Sequence, residues 1–227
     1  MTASDPAGTS DPSGLLAGAP DAAGFTAAAP RAYLFLHGWQ NHRPDGHWQR
    51  WAGDRLALLG HHVSYPQLPD ADDPDLDVWL TELARHLAEL PREGHGEHVV
   101  VAHSLSAVLW LHAVARGVPG LGVDRVLLVS PPAGQVLARY PEVAGFVPPP
   151  LDLVLPCPTR LAAGDDDPYC PGNAQTVYGD PLGVPTDLVP GGAHLDLDAG
   201  YGAWPALVDW CLDPRARITA RPESPPE

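Results

Sequence analysis

Three polar clusters, far apart along the chain, carry the residue types that acyl-transfer chemistry needs. Ser104 lies in Ala102-His103-Ser104-Leu105-Ser106, aspartates stand at Asp165, Asp166 and Asp167, and His194 follows Gly192-Ala193. A serine hydroxyl is a poor nucleophile at neutral pH, so a neutral imidazole must accept its proton as it attacks. A carboxylate must then fix the imidazole's tautomer and stabilise the imidazolium that forms. The developing oxyanion needs donors aimed at it. The backbone N–H groups of Leu105 and Trp39 are the candidates. Each cluster also has a plain structural reading. Ser104 could be a helix N-cap, the aspartates a solvated loop or a cap before Pro168, and His194 a turn histidine, one of eleven in the chain. Which of the three aspartates would serve stays open at this point. His37 and His103 read as core or supporting histidines beside the site.

The elements that must position these residues follow from the pattern. Residues 98–102 contain three consecutive valines and read as a buried strand; an apolar segment of helical period begins at Leu105. Strand, sharp turn with serine at its tip, helix is the context of a nucleophile elbow, whose strained serine requires small residues two positions to either side. Ala102 and Ser106 meet that need where glycine is usual. Further strands are predicted at 32–37, 61–65, 124–130, 158–163 and 186–189. Helices are predicted at 47–59, 78–90 with Asp77 as cap, 105–116, near 172–178 and at 203–212. Alternating strands and helices imply an α/β fold: a mostly parallel sheet, helices on both faces, right-handed crossovers. Ligands gather at the carboxyl ends of such strands, where His37-Gly38-Trp39, Ser104, Asp165–Asp167 and His194 all fall. The proline-rich segment 131–156 reads either as a small lid or pocket wall, or as a helix between long loops.

Composition narrows the classes. The 227 residues, 44% hydrophobic, allow one domain with a sizeable core. The alanine-, glycine- and proline-rich stretch 1–30 and the polar stretch 213–227 read as weakly ordered tails around a domain at 31–212. No run of 18 apolar residues and no secretory signal pattern is present. A net charge of −15 argues against nucleic acid and anionic membrane surfaces as partners. Cys157, in a predicted core strand, Cys170 and Cys211 have no metal-like spacing, and a reducing, cytoplasmic setting is expected. Neither His61-His62 nor His95-Gly96-Glu97-His98 has further ligands at metal spacing, so no metal and no cofactor is expected. Trp48 and Trp51 read as core. Composition carries no oligomeric state.

Taken in order, Leu36-His37-Gly38 with His47-Trp48-Gln49 downstream, the Ser104 cluster, Leu128-Val129-Ser130-Pro131, Gly164-Asp165-Asp166-Asp167-Pro168 and Gly192-Ala193-His194 make the chain resemble the small serine hydrolases of the RBBP9/YdeN type, within the α/β-hydrolase superfamily. The resemblance covers about 31–212. It implies a three-layer α/β-hydrolase fold without a large cap, no metal, and small ester or amide substrates. It places the acid directly before the proline, at Asp167. The departure is Ala102 and Ser106 at the elbow. The expectation is a Ser104–His194–Asp167 triad that hydrolyses small carboxylic esters through an acyl-serine, with Leu105 and Trp39 as oxyanion donors. A binding module with a vestigial site and an acyltransferase to an acceptor other than water are the alternatives.

Overall fold

The computed structural model describes residues 1–2 and 29–222; most of the predicted N-terminal tail therefore lies outside the described residues. Six parallel strands form one sheet: β1 (Ala32–Leu36), β2 (His62–Ser64), β3 (His98–His103), β4 (Arg125–Val129), β5 (Thr159–Gly164) and β6 (Thr186–Val189), in the order β2-β1-β3-β4-β5-β6. The chain runs outward from β1 to β2, then returns to lay β3 on the other side of β1. The direction of winding thus reverses between β1 and β3, where open α/β sheets form their crevice. Leu36 pairs with Ala102, which sets the residues after β1 beside those after β3.

Strand alternation splits the core in two. Leu34, Leu36, Val100 and Leu128 face α2 (Leu76–Glu89) and α3 (Leu105–Arg116). Tyr33, Phe35, Val99, Val101 and Leu127 face α1 (Trp48–Leu58) and α6 (Pro205–Leu212). Residues 105–113 of α3 are buried without interruption, and the helix ends on the left-handed Gly117, at φ 64°. The short helices α4 (Gly134–Leu137) and α5 (Asp180–Leu182) complete the set.

The structure differs from the sequence reading in four places. Helix α2 is capped by Asp75, whose carboxylate accepts the Val78 N–H at 2.9 Å; Asp77 lies in the first turn and pairs with Arg116 instead. Cys157 precedes β5 and is only half-buried. The predicted short helix near 172–178 is present but displaced toward the C-terminus, a π-helical stretch over Gln175–Gly179 that runs directly into α5. The segment after α6 is no free tail over 213–222: Ile218 is buried, its N–H bonds Asp187 Oδ2 at 3.0 Å, and the Trp204 indole donates to Thr219 O at 2.7 Å. Asp187 is on β6, an edge strand that needs cover. The ambiguous stretch 131–156 packs as a wall. After α4, Val143 and Phe146 in a 3-10 turn are buried, Phe146 against Trp79.

Candidate active site

At the junction of β3 and α3, Ser104 adopts φ 56°, ψ −122°. This is a strained conformation for a residue with a Cβ, costing about 1–3 kcal/mol. Its surroundings hold it there. The Ser104 N–H bonds Val129 O at 2.8 Å and its carbonyl accepts the Ala107 N–H at 2.9 Å. A Cβ on Gly38 would stand 2.6 Å from the Ser104 Cβ, so glycine there is what lets the end of β1 approach the serine. Ala102 and Ser106 are fully buried, as a tight elbow requires. Ser106 does more than fit: its hydroxyl donates to His37 O, tying the elbow to the end of β1.

Three loops converge in front of Ser104. His194 Nε2 lies 2.9 Å from Ser104 Oγ, and His194 Nδ1 lies 2.9 Å and 3.1 Å from the two Asp167 oxygens. With the carboxylate accepting at Nδ1, the ring's proton sits there, and Nε2 presents its lone pair to the serine hydroxyl. The Asp167 side chain is 1% exposed and that of His194 10%. A carboxylate so enclosed needs partners, and Asp167 Oδ1 takes a second one, the Tyr169 N–H at 2.8 Å. The Tyr169 ring leans on the His194 ring at 4.5 Å between centroids.

The other two aspartates grip the same loop elsewhere. Asp165 Oδ1 accepts the Gly191 N–H at 2.9 Å, and Asp166 Oδ1 accepts the Ala193 N–H at 2.7 Å. Only Asp167 reaches the imidazole. Gly164 makes room for this crossing, since a Cβ there would meet Ala193 O at 2.2 Å.

His37 and His103 support the site without facing Ser104. His37 Nε2 accepts the Leu68 N–H at 2.8 Å, which leaves the proton on Nδ1, donated to Gly38 O at 2.8 Å. Burial pushes this imidazole down to about 4, so it is neutral near pH 7. His103 donates from Nε2 to His194 O at 3.1 Å, and burial holds it well below the usual histidine range. The Trp39 ring packs at a tilt of 58° against Tyr140, 5.3 Å between centroids.

A cavity of about 480 Å³ opens over Ser104. Its wall is apolar at Leu105, Pro132, Val136 and Leu137 and carboxylate-bearing at Asp196 and Asp198. Among the described residues, no group of three or more histidine, cysteine or acidic side chains could hold a metal ion, and no helix is long and apolar enough to cross a membrane. Sequence reasoning passed over Tyr169 and the Ser106 hydroxyl; Trp48 is core, as expected, but its indole also donates to Leu195 O at 2.7 Å, a contact that reading did not include. No spacing rule marks such contacts.

The fold has solved relatives. YdeN from B. subtilis is 19% identical, with a TM-score of 0.65 over 80% of this chain and 97% of that one. A YdeN-like hydrolase from Pectobacterium atrosepticum is 21% identical, with a TM-score of 0.63 over 79% and 88%. Est1E from Butyrivibrio proteoclasticus is 16% identical, with a TM-score of 0.56 over 83% and 89%. No curated protein sequence matches. At these identities the structures speak for the α/β-hydrolase fold, and the sequence itself goes further: residues 33–211 match the serine hydrolase family, to which this chain belongs.

Proposed function

We propose that this serine hydrolase cleaves small carboxylic esters, and amides more slowly, through an acyl-serine intermediate. Ser104 Oγ attacks the carbonyl carbon while His194 Nε2 takes its proton; Asp167 orients the ring and stabilises the imidazolium. The N–H of Leu105, at the start of α3 and free of an intrahelical partner, and the N–H of Trp39 receive the oxyanion. Collapse of the tetrahedral adduct breaks the bond to the leaving group, which His194 protonates. Water, deprotonated by the same imidazole, then releases the acid and restores the serine. The observation that carries this reading is the unbroken line Ser104 Oγ–His194–Asp167, with its tautomer fixed by the carboxylate.

Proton delivery assigns the two sides of the cavity. The leaving group must sit by His194, near Asp196 and Asp198; the acyl chain takes the apolar wall of Leu105, Pro132, Val136 and Leu137. Neutral or cationic alcohols suit the first side, and a short apolar acyl group suits the second.

A fluorophosphonate probe and 4-nitrophenyl acetate test the proposal together. Wild type becomes labelled at Ser104 and releases nitrophenol, and Ser104→Ala does neither. Wild type that resists the probe and leaves the ester intact overturns it. Adding alcohols or amines to the assay separates hydrolysis from transfer to another acceptor.

A further inference from the structure

His194 stands between two non-glycine residues in the left-handed region, Ala193 at φ 44° and Leu195 at φ 51°. Strained backbone of this kind persists where its surroundings over-determine it. Two consecutive carbonyls of the loop are held from the side of β3 and α1: Leu195 O by the Trp48 indole, and His194 O by His103 Nε2–H. The second bond fixes the tautomer of His103. Its proton is on Nε2, so Nδ1 is a bare acceptor. That Nδ1 is buried and has no partner among the described residues.

The complementary orphan is next to it. His47 caps α1, its Nδ1 accepting the Gln49 N–H at 3.2 Å, so its own proton must be on Nε2. That Nε2–H is also buried and also without a partner among the described residues. The two rings lie 5.4 Å apart between centroids. A donor with no acceptor and an acceptor with no donor are each costly inside a protein, and here they adjoin.

We propose that His47 and His103 are a hydrogen-bonded pair, His47 Nε2–H to His103 Nδ1, closed by a small ring rotation or by one bridging water. The result is a chain from the cap of α1 through two neutral imidazoles to the carbonyl of His194. Both are positioning residues, and their role rests on the reading of His194 as the general base. The rings around them are Trp48, 5.3 Å from His47 and 5.5 Å from His103, and His194, 5.2 Å from His103. The titratable groups that act on His47 are Asp196, which favours its charged form by less than burial opposes it, and His194 and His37, which oppose it further. Burial keeps both rings neutral, which the chain requires: a proton on His103 Nδ1 would set donor against donor.

Nitrogen-15 NMR of the imidazoles tests the pair without reference to turnover. Expected in the wild type are Nε2–H tautomers for both rings and a His103 Nδ1 resonance displaced as in an accepting nitrogen. His47→Asn keeps an acceptor for the Gln49 N–H but loses the distal donor. In it the His103 Nδ1 resonance moves to the unbonded position, and kcat on 4-nitrophenyl acetate falls on the order of tenfold with KM little changed. An Nδ1–H tautomer on either ring, or a His103 signal indifferent to His47→Asn, overturns the proposal. If the variant does not fold, the wild-type spectrum alone decides. Wild type that shows the pair but fails to react with the fluorophosphonate would sink the hydrolase reading and leave the pair standing.

Discussion

The two ends of the hydrogen-bonded line across the site are built in different ways. Ser104 is placed by regular structure: β3 feeds the turn, α3 leaves it, and β1 and β4 flank it through backbone bonds and the close approach of Gly38. His194 is placed by a loop with no regular structure, held from three sides by side chains: Asp165, Asp166 and Asp167 from the end of β5, Trp48 from α1, and His103 from the end of β3. A strand–turn–helix junction sets its tip through many small backbone terms. A clamped loop concentrates the same work in a few polar contacts, each open to a single substitution.

The three aspartates allow the sharpest test of that contrast. Asp167→Asn leaves the ring without its carboxylate and lets the tautomer reverse; kcat on 4-nitrophenyl acetate should fall by about 10⁴. Asp165→Asn and Asp166→Asn keep a side-chain oxygen for Gly191 and Ala193, and should cost less than about tenfold. Equal losses at all three positions would show that the loop acts as one unit with no privileged carboxylate.

Acid should loosen both ends through their buried histidines. His37 stands beside the elbow and His47 beside the histidine loop, and burial pushes each down to about 4. In the unfolded chain these rings take up protons near the ordinary value of about 6.5. Below that pH the unfolded state binds more protons, so stability is lost as pH falls from about 6.5 toward about 4 and levels off beneath. One unit is worth about 1.4 kcal/mol, which gives an upper figure of about 3 kcal/mol per ring. Urea midpoints measured from pH 7 to pH 4 check the slope, and His47→Asn should make it shallower.

Much of this was legible in the chain because strands and their ends are periodic. The valines of β3, the run Ala32–Leu36 and the small residues at 102 and 106 placed the sheet and the elbow, and the order of serine, acid and histidine placed the three clusters at strand ends. What was not legible depends on contacts across the fold. Read from the residues alone, the choice among Asp165, Asp166 and Asp167 stays open, since it turns on which carboxylate meets the ring when the loop crosses Gly164; only the family resemblance, through the Asp167-Pro168 pair, points to Asp167. The packing of Ile218 on β6 was hidden for the same reason, since its segment is polar and proline-rich and only the uncovered edge of the sheet explains it. Ser106 shows an intermediate case. Its small size was readable from the elbow, and its hydroxyl found a use only once His37 O stood opposite.

Gly164 offers a smaller effect on the same comparison. A methyl group there meets the Ala193 carbonyl and amide, at 2.2 Å and 2.6 Å, and backbone cannot yield as a side-chain end does. Gly164→Ala should cost about 1–3 kcal/mol in stability, as overpacking does. Its mark on activity should exceed its mark on folding, because the displaced segment carries His194. Labelling by a fluorophosphonate should slow markedly in protein that still shows a cooperative thermal transition. A loss of stability with an unchanged labelling rate would mean that the loop re-seats without moving the imidazole.

The smallest effect belongs to the rim of the histidine side. Asp198 is exposed, lines the cavity beside His194 and has no ion-pair partner among the described residues. If the leaving group departs past it, a cationic alcohol gains a weak, solvent-screened attraction of about 0.2–1 kcal/mol. For two acetate esters, one of a quaternary ammonium alcohol and one of its neutral isostere, kcat/KM should favour the cation by about two- to fivefold at low salt. Asp198→Asn should reduce that ratio toward unity while leaving the neutral ester unaffected, and added salt should do the same. A preference that survives both would mean that the charge is read elsewhere, or that the alcohol departs by the apolar wall and the two sides of the cavity are assigned in reverse.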